Sequence, residues 1–244
     1  MNKRVAVSVA ALLFAASVHT GFSQGPGVGA RVGPTFSTFG GDAESGSKTG
    51  FIVSGYFIYS ISERVSVYPE LSYVRKGGTS SGRVLSQDPV RGFFIEETSE
   101  RTTGLDYLEL QVPITMMIPA RRTAVSARLY AGPSVAVELK CRTELNLTAR
   151  TFSPTGPTLD VTSTTESGSC ESESQTGGPL FTSTKRLDFG LVLGAGMDVG
   201  IGRGAITGDL RYDFGLADIQ DGTGGSIKNR AFEILLGYAH YFSR

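Results

Sequence analysis

Hydrophobic and polar residues alternate one by one along most of this chain. In Val28-Gly29-Ala30-Arg31-Val32-Gly33-Pro34-Thr35-Phe36 the apolar groups fall on even numbers and Arg31, Gly33 and Thr35 on odd ones, the period of two that marks a strand with unlike faces. Comparable segments follow at about 50–60, 65–75, 105–118, 124–140, 186–199, 205–215 and 229–242, which makes eight. The clearest is Ile206 to Phe214, where Asp209, Arg211 and Asp213 oppose Ile206, Leu210, Tyr212 and Phe214. Phe51 to Ser60 is apolar on both faces, so its side chains take no orientation from the pattern.

The joints between segments alternate in length. Those at 61–64, 119–123 and 200–204 are tight, and the last two carry the Gly and Pro of hairpin turns. Those at about 37–49, 77–104, 141–185 and 215–228 are long and rich in Ser, Thr, Gly and acidic residues. Short turns at one end and long loops at the other are the layout of a transmembrane barrel, whose tilted strands need about 9 to 11 residues each. The fold predicted is all-β: an eight-stranded antiparallel up-and-down transmembrane β-barrel.

Period two also suits a soluble barrel with its apolar face inward, and the placement of lysine separates the two. The six Lys are Lys3, Lys48, Lys76, Lys140, Lys185 and Lys228. Lys3 lies near the start, and the other five fall in predicted loops or at strand ends. A water-facing sheet surface carries Lys along its length. The polar face here instead carries Arg31, Glu70, Glu109, Arg128, Asp209, Arg211, Asp213 and Glu233, charges of both signs that a narrow lumen would pair. On the apolar parity, Tyr73, Phe214 and Phe232 gather toward the long loops and Tyr59, Tyr238 and Phe242 toward the short turns. That is the two-girdle pattern of a membrane barrel.

Composition narrows the function. The 244 residues include 32 Gly, well above the usual share of roughly 7%, as a turn-rich β protein requires. The 23 Lys plus Arg balance 23 Asp plus Glu with no basic run, which leaves no electrostatic footprint for nucleic acid. With only His19 and His240, a metal centre or a His-based triad has almost nothing to draw on. No catalytic residue, metal ligand or cofactor is therefore expected, and the chain reads as no enzyme. Gly194 to Gly204 is glycine-rich but has Val199 where a dinucleotide loop needs its third Gly, and no helix follows. Asp218 and Asp221 fall short of a calcium loop's ligand count.

Asn2-Lys3-Arg4, the apolar run Val5 to Val18 and small residues at Gly21 and Ser23 read as a Sec signal peptide over 1–23, leaving 24–244 as the barrel domain. Cleavage removes two of the 23 basic residues and leaves 21, a nearly neutral mature chain. In an oxidising compartment Cys141 and Cys170 are expected to pair, at the base of a hairpin arm formed as the fifth strand runs on past the membrane. The alternative is two free thiols joined by a mobile Ser/Thr-rich stretch over 151–184.

The chain resembles the outer-membrane β-barrel proteins labelled PorT-like or porin family in the Bacteroidetes group. The residues that carry the resemblance are Gly29 to Gly33, Tyr107 to Ile114, Ala131 to Ser134, Asp188 to Gly196 and Arg211 to Leu216. It covers nearly all of 27–242 and implies a place in the outer membrane of a Gram-negative bacterium. It further implies contact with outer-membrane lipid and with the barrel assembly machinery, which reads a last strand such as the one holding Gly237 and Phe242. A monomer acting as a structural or surface-interaction protein, with a side-chain-filled lumen and an unknown surface ligand, is the function expected. The alternatives are a narrow or gated porin-like channel for small solutes and, further off, an outer-membrane enzyme.

Overall fold

A computed structural model describes residues 26–41, 45–87, 92–119, 125–153, 158–170, 184–219 and 226–242. The signal segment, the tight turn after Pro119, and Asp221 lie outside the described residues. Among the described residues eleven strands form: β1 (Gly27–Gly41), β2 (Gly46–Ser60), β3 (Val65–Val67), β4 (Glu70–Gln87), β5 (Phe94–Gln111), β6 (Ile114–Pro119), β7 (Val125–Phe152), β8 (Thr158–Ser169), β9 (Leu187–Ile201), β10 (Gly204–Gly215) and β11 (Ile227–Tyr241). All pairings are antiparallel, and β1 pairs with both β2 and β11 to close the sheet. Around the ring the order is β1, β2, β4, β5, β7, β9, β10, β11: eight strands, a closed barrel.

Two of the eight walls are each built from two pieces. β3 precedes β4 and β6 follows β5, with the breaks at Pro69 and Pro113. Proline offers no N–H to a ladder, so a central strand must interrupt itself there. The backbone finds other partners across the gap: Phe57 donates to the Pro69 carbonyl, Tyr68 to that of Pro113 and Val112 to that of Pro133, at 3.0–3.1 Å.

Outward parity is apolar around the whole ring. Val28, Val32 and Phe36 on β1, Leu191, Leu193 and Met197 on β9, and Ile206, Leu210 and Phe214 on β10 all stand exposed. Strand β2, whose sequence gave no orientation, turns Phe51, Val53, Phe57 and Tyr59 outward and buries Ile52, Ser54, Tyr56 and Ile58. An apolar belt of this extent has no place in water. Phe36, Phe51, Phe189, Phe214 and Phe232 rim it at one end, with Tyr73 packed 5.7 Å from Phe51, and Tyr59, Tyr238 and Phe242 rim it at the other. No described helix is long and apolar enough to cross a membrane; the strands are the elements that can.

The predicted long loops are largely strand. Residues 77–104 are a continuous β4–β5 hairpin paired as far as Gln87 and Phe94, apart from its tip. β7 runs for 28 residues, roughly 90 Å at the usual rise, and β8 pairs along its outer half. Strands β4, β5, β7 and β8 therefore continue past the belt as a four-stranded blade. In β7 the alternation persists, with Arg142, Glu144, Asn146, Thr148 and Arg150 on one face and Thr143, Leu145, Leu147 and Ala149 on the other, as the expected arm requires, whereas the Gly, Ser and Thr tract of β4 loses its alternation while the backbone keeps its ladder. Cys141 and Cys170 are joined by a disulfide at the blade's base, with Cα atoms 5.4 Å apart. The opposite end keeps tight turns, among them Gly202, whose φ of 58° suits a residue without a Cβ.

Candidate functional site

Inward parity collects charge. Arg31, Glu70, Glu109, Arg128, Asp209, Arg211, Asp213 and Glu233 are all buried in the lumen, none more than 3% exposed. Their positions follow from register: Arg211 stands beside Glu233 on the neighbouring strand, and the guanidinium donates to it at 2.5 Å. The same Arg211 reaches across the barrel to Glu70 at 3.0 Å and to the Gln111 amide oxygen at 2.8 Å. Gln111 in turn donates to Glu109 at 2.7 Å.

A second cluster lies beside the first. Arg128 grips Asp209 with two nitrogens, at 2.6 and 3.1 Å, and pairs with Asp198. Arg31 sits 3.2 Å from Glu70 and 3.3 Å from Asp209, joining the two clusters, and its guanidinium lies over the Tyr56 ring at 4.2 Å. The planar fork of arginine suits such two-carboxylate contacts.

Lys76 corrects the sequence reading. The pattern puts it with the other lysines in loops and at strand ends, but it lies inside β4, buried, and pairs with Glu109 at 2.8 Å and with Asp213. The reason is local: β4 continues well past the belt, so position 76 is a strand interior, and its even parity is that of Glu70 and Ser72. Asp188, Asp198 and Asn229 were likewise not singled out. Asp188 and Asp198 share the even, inward parity of β9 with Gly190, Gly194 and Gly196, and a strand so rich in glycine showed little polar pattern. Those glycines make room, because a Cβ at Gly194 would meet the Tyr130 ring at 2.2 Å. Asn229 donates to Asp188 at 2.7 Å and to the Tyr107 hydroxyl at 3.0 Å.

The arrangement obstructs the lumen twice over. β4 and β10 stand four places apart in a ring of eight, directly opposite each other. Arg211–Glu70 and Lys76–Asp213 are both bridges between these two strands, so they cross the barrel's full width. Below the charges, Tyr56, Ile58, Tyr68, Ala205, Ala239 and Tyr241 pack as one cluster, with Tyr56 and Tyr68 stacked at 5.7 Å. Phe39, Ile52, Val74, Leu105, Tyr107 and Leu235 form another, packed among the charges and toward the blade end. Ile219 completes the upper plug from the segment after β10, held by backbone bonds to Ile227 and Lys185. Among the described residues no group of three or more His, Cys, Asp and Glu is placed to hold a metal ion. His240 lies beside Phe242, with ring centroids 6.1 Å apart.

A family model described as outer membrane protein beta-barrel domain matches residues 16–221. No curated protein matches the sequence. Among solved structures the chain is similar to Neisserial surface protein A, with 11% identity over 88% of this chain and 97% of that one and a TM-score of 0.44. It is also similar to Ail, the attachment invasion locus protein of Yersinia pestis, solved with the heparin analogue sucrose octasulfate, with 14% identity, 90% and 99% coverage and a TM-score of 0.37. An outer membrane channel from Pseudomonas putida shows 12% identity, 90% and 96% coverage and a TM-score of 0.26.

Proposed function

This chain belongs to the outer membrane protein beta-barrel domain family, and on that premise we propose that it is a monomeric surface-interaction barrel which holds its blade outside the cell rather than conducting solutes. The observation that carries this reading is the pair of ion bridges spanning the lumen between β4 and β10, packed against two apolar clusters. Eight strands enclose an interior that side chains can fill, and here they do. What remains for function is the blade, which continues past the belt and is covalently fastened at its root. Residues 1–23 would direct export as a Sec signal peptide, the barrel assembly machinery would insert the strands, and within the family the PorT-like group is the assignment we favour. No catalytic role is proposed for any residue.

Protease added to intact cells tests the orientation. Trypsin should cut within the blade, at Arg83, Arg101 or Arg150, and leave the barrel as a protected fragment. Cutting confined to Arg64 and Arg203 at the short-turn end would reverse the topology and remove the proposal.

A narrow gated path is the second reading, and one observation favours it. Among the described residues the lumen holds Arg31, Lys76, Arg128 and Arg211 against seven buried carboxylates, Glu70, Glu109, Asp188, Asp198, Asp209, Asp213 and Glu233. Several polar atoms there, including the Tyr56 and Tyr130 hydroxyls, have no protein partner, which suits enclosed water. Such a path would favour cations. Conductance that rises when Arg211 or Glu109 is truncated would support it.

A further inference from the structure

The outer wall carries a second organised set of charges, separate from the lumen. Arg75, Asp106 and Lys140 stand in register across β4, β5 and β7. The next row outward is Gly77, Gly104 and Arg142. The side chain of Lys48 on β2 fills the trough left by the two glycines: a Cβ at Gly77 would meet its Cδ at 2.9 Å, and one at Gly104 its Nζ at 2.5 Å. Four cations thus lie on adjoining strands with two nearby carboxylates, Asp106 and Glu144.

Their height on the wall is defined by the row beneath. Tyr73, Leu108 and Val137 are the cross-strand neighbours just below Arg75, Asp106 and the strand bulge there; Leu108 and Val137 are exposed members of the apolar belt. The Arg75 guanidinium is 5.4 Å from the Phe51 ring centre, so the charges begin where the aromatic rim ends. At that level a membrane presents its headgroups.

Most of the positive charge is uncommitted. Arg75 is bound to Asp106 by two hydrogen bonds, at 2.6 and 3.1 Å. Lys48, Lys140 and Arg142 make no ion pair among the described residues. They border a basin of about 770 Å³ whose lining also includes Thr102, Glu144 and Ser167, so hydroxyl groups stand beside the cations. Burial depresses the Lys48 amine below its ordinary value and the neighbouring Arg75 adds to the depression, which Asp106 and Glu144 partly offset.

We propose that this face, Lys48, Arg75, Lys140 and Arg142 above the aromatic rim, binds the phosphate groups of a phosphorylated outer-leaflet lipid and so anchors the blade's base against the membrane surface. Lipid is the occupant because the charges sit directly on the acyl-contacting belt, where a lipid's tail and headgroup are held at once. The proposal rests on the reading that the blade end faces outward.

Native mass spectrometry of the detergent-purified full protein tests it, with diphosphorylated lipid A, the same lipid stripped of phosphate, and inorganic phosphate as the three probes. The expected result is retention of the diphosphorylated lipid at least tenfold above the stripped one, weakening as salt rises. The combined variant Lys48→Gln, Lys140→Gln, Arg142→Gln should lose that difference while keeping its heat-dependent gel shift, and the exposed single variant Arg142→Gln should lose part of it. Equal retention of the two lipids by the unmodified protein would overturn the proposal, as would equal retention by protein and variants. Displacement of the lipid by inorganic phosphate at matched concentration would also overturn it in favour of a small-anion site. The assay is indifferent to topology in the cell, so a reversed orientation in the protease experiment is recognised separately.

Discussion

The ring and the blade are built from the same strands yet are stabilised differently. Within the belt each strand has lipid on one side and a packed lumen on the other, so β10 places Leu210 outward and Arg211 inward, 53% and 1% exposed respectively. Above the belt most of β4, β5, β7 and β8 meets water, and Val84, Leu85 and Val161 stand exposed among Ser, Thr and Glu, while near the base Thr103, Thr143, Leu145 and Glu166 are buried. The ring is held by ion pairs that cross it, the blade by its backbone ladder and one disulfide. Hydrophobic alternation therefore reports a difference between two environments, not the presence of a strand.

The sharpest break in that contrast is Arg211→Leu. It leaves Glu70, Glu233 and Gln111 without their shared donor in a lumen where an unpartnered charge costs about 3–5 kcal/mol. The denaturant midpoint of the refolded protein in vesicles should fall accordingly, while amide protection in the blade stays unchanged. A loss below ~1 kcal/mol would mean that the cross-lumen pairs do not hold β4 to β10.

Replacing both Cys141 and Cys170 by Ser should act on the other region. Releasing a link between residues 29 apart in sequence frees about 3.6 kcal/mol of chain entropy in the unfolded blade. Hydrogen exchange should quicken across 142–152 and 158–169 with the barrel midpoint unmoved; a shift of that midpoint would show that blade and ring unfold as one. The smallest effect is expected from Leu210→Ala on the lipid face, about 1 kcal/mol in the same vesicles, because lipid fills the space that a protein core would leave as a cavity.

The parity of Ile206 to Phe214 was enough to separate wall from lumen, because each face there meets a different medium. The same reasoning singled out Arg31, Glu70 and Arg211 as polar-face charges, but it did not supply their partners. That Arg211 meets Glu70 on the opposite wall depends on the barrel's closure, which no local window contains. Lys76 escaped because its strand continues into a Gly, Ser and Thr tract that looks like loop. Tyr56 escaped because β2 is apolar on both faces, one turned to lipid and the other to the aromatic cluster. Pro69 and Pro113 divided two predicted strands for want of an N–H, a break that alternation alone does not register.

The closed lumen is the central claim, and single-channel recording of the refolded, unmodified protein in planar bilayers tests it most directly. With Arg211–Glu70 and Lys76–Asp213 in place across the barrel, the account predicts a silent baseline with no sustained open level. A large, steady conductance from the unmodified protein would contradict it.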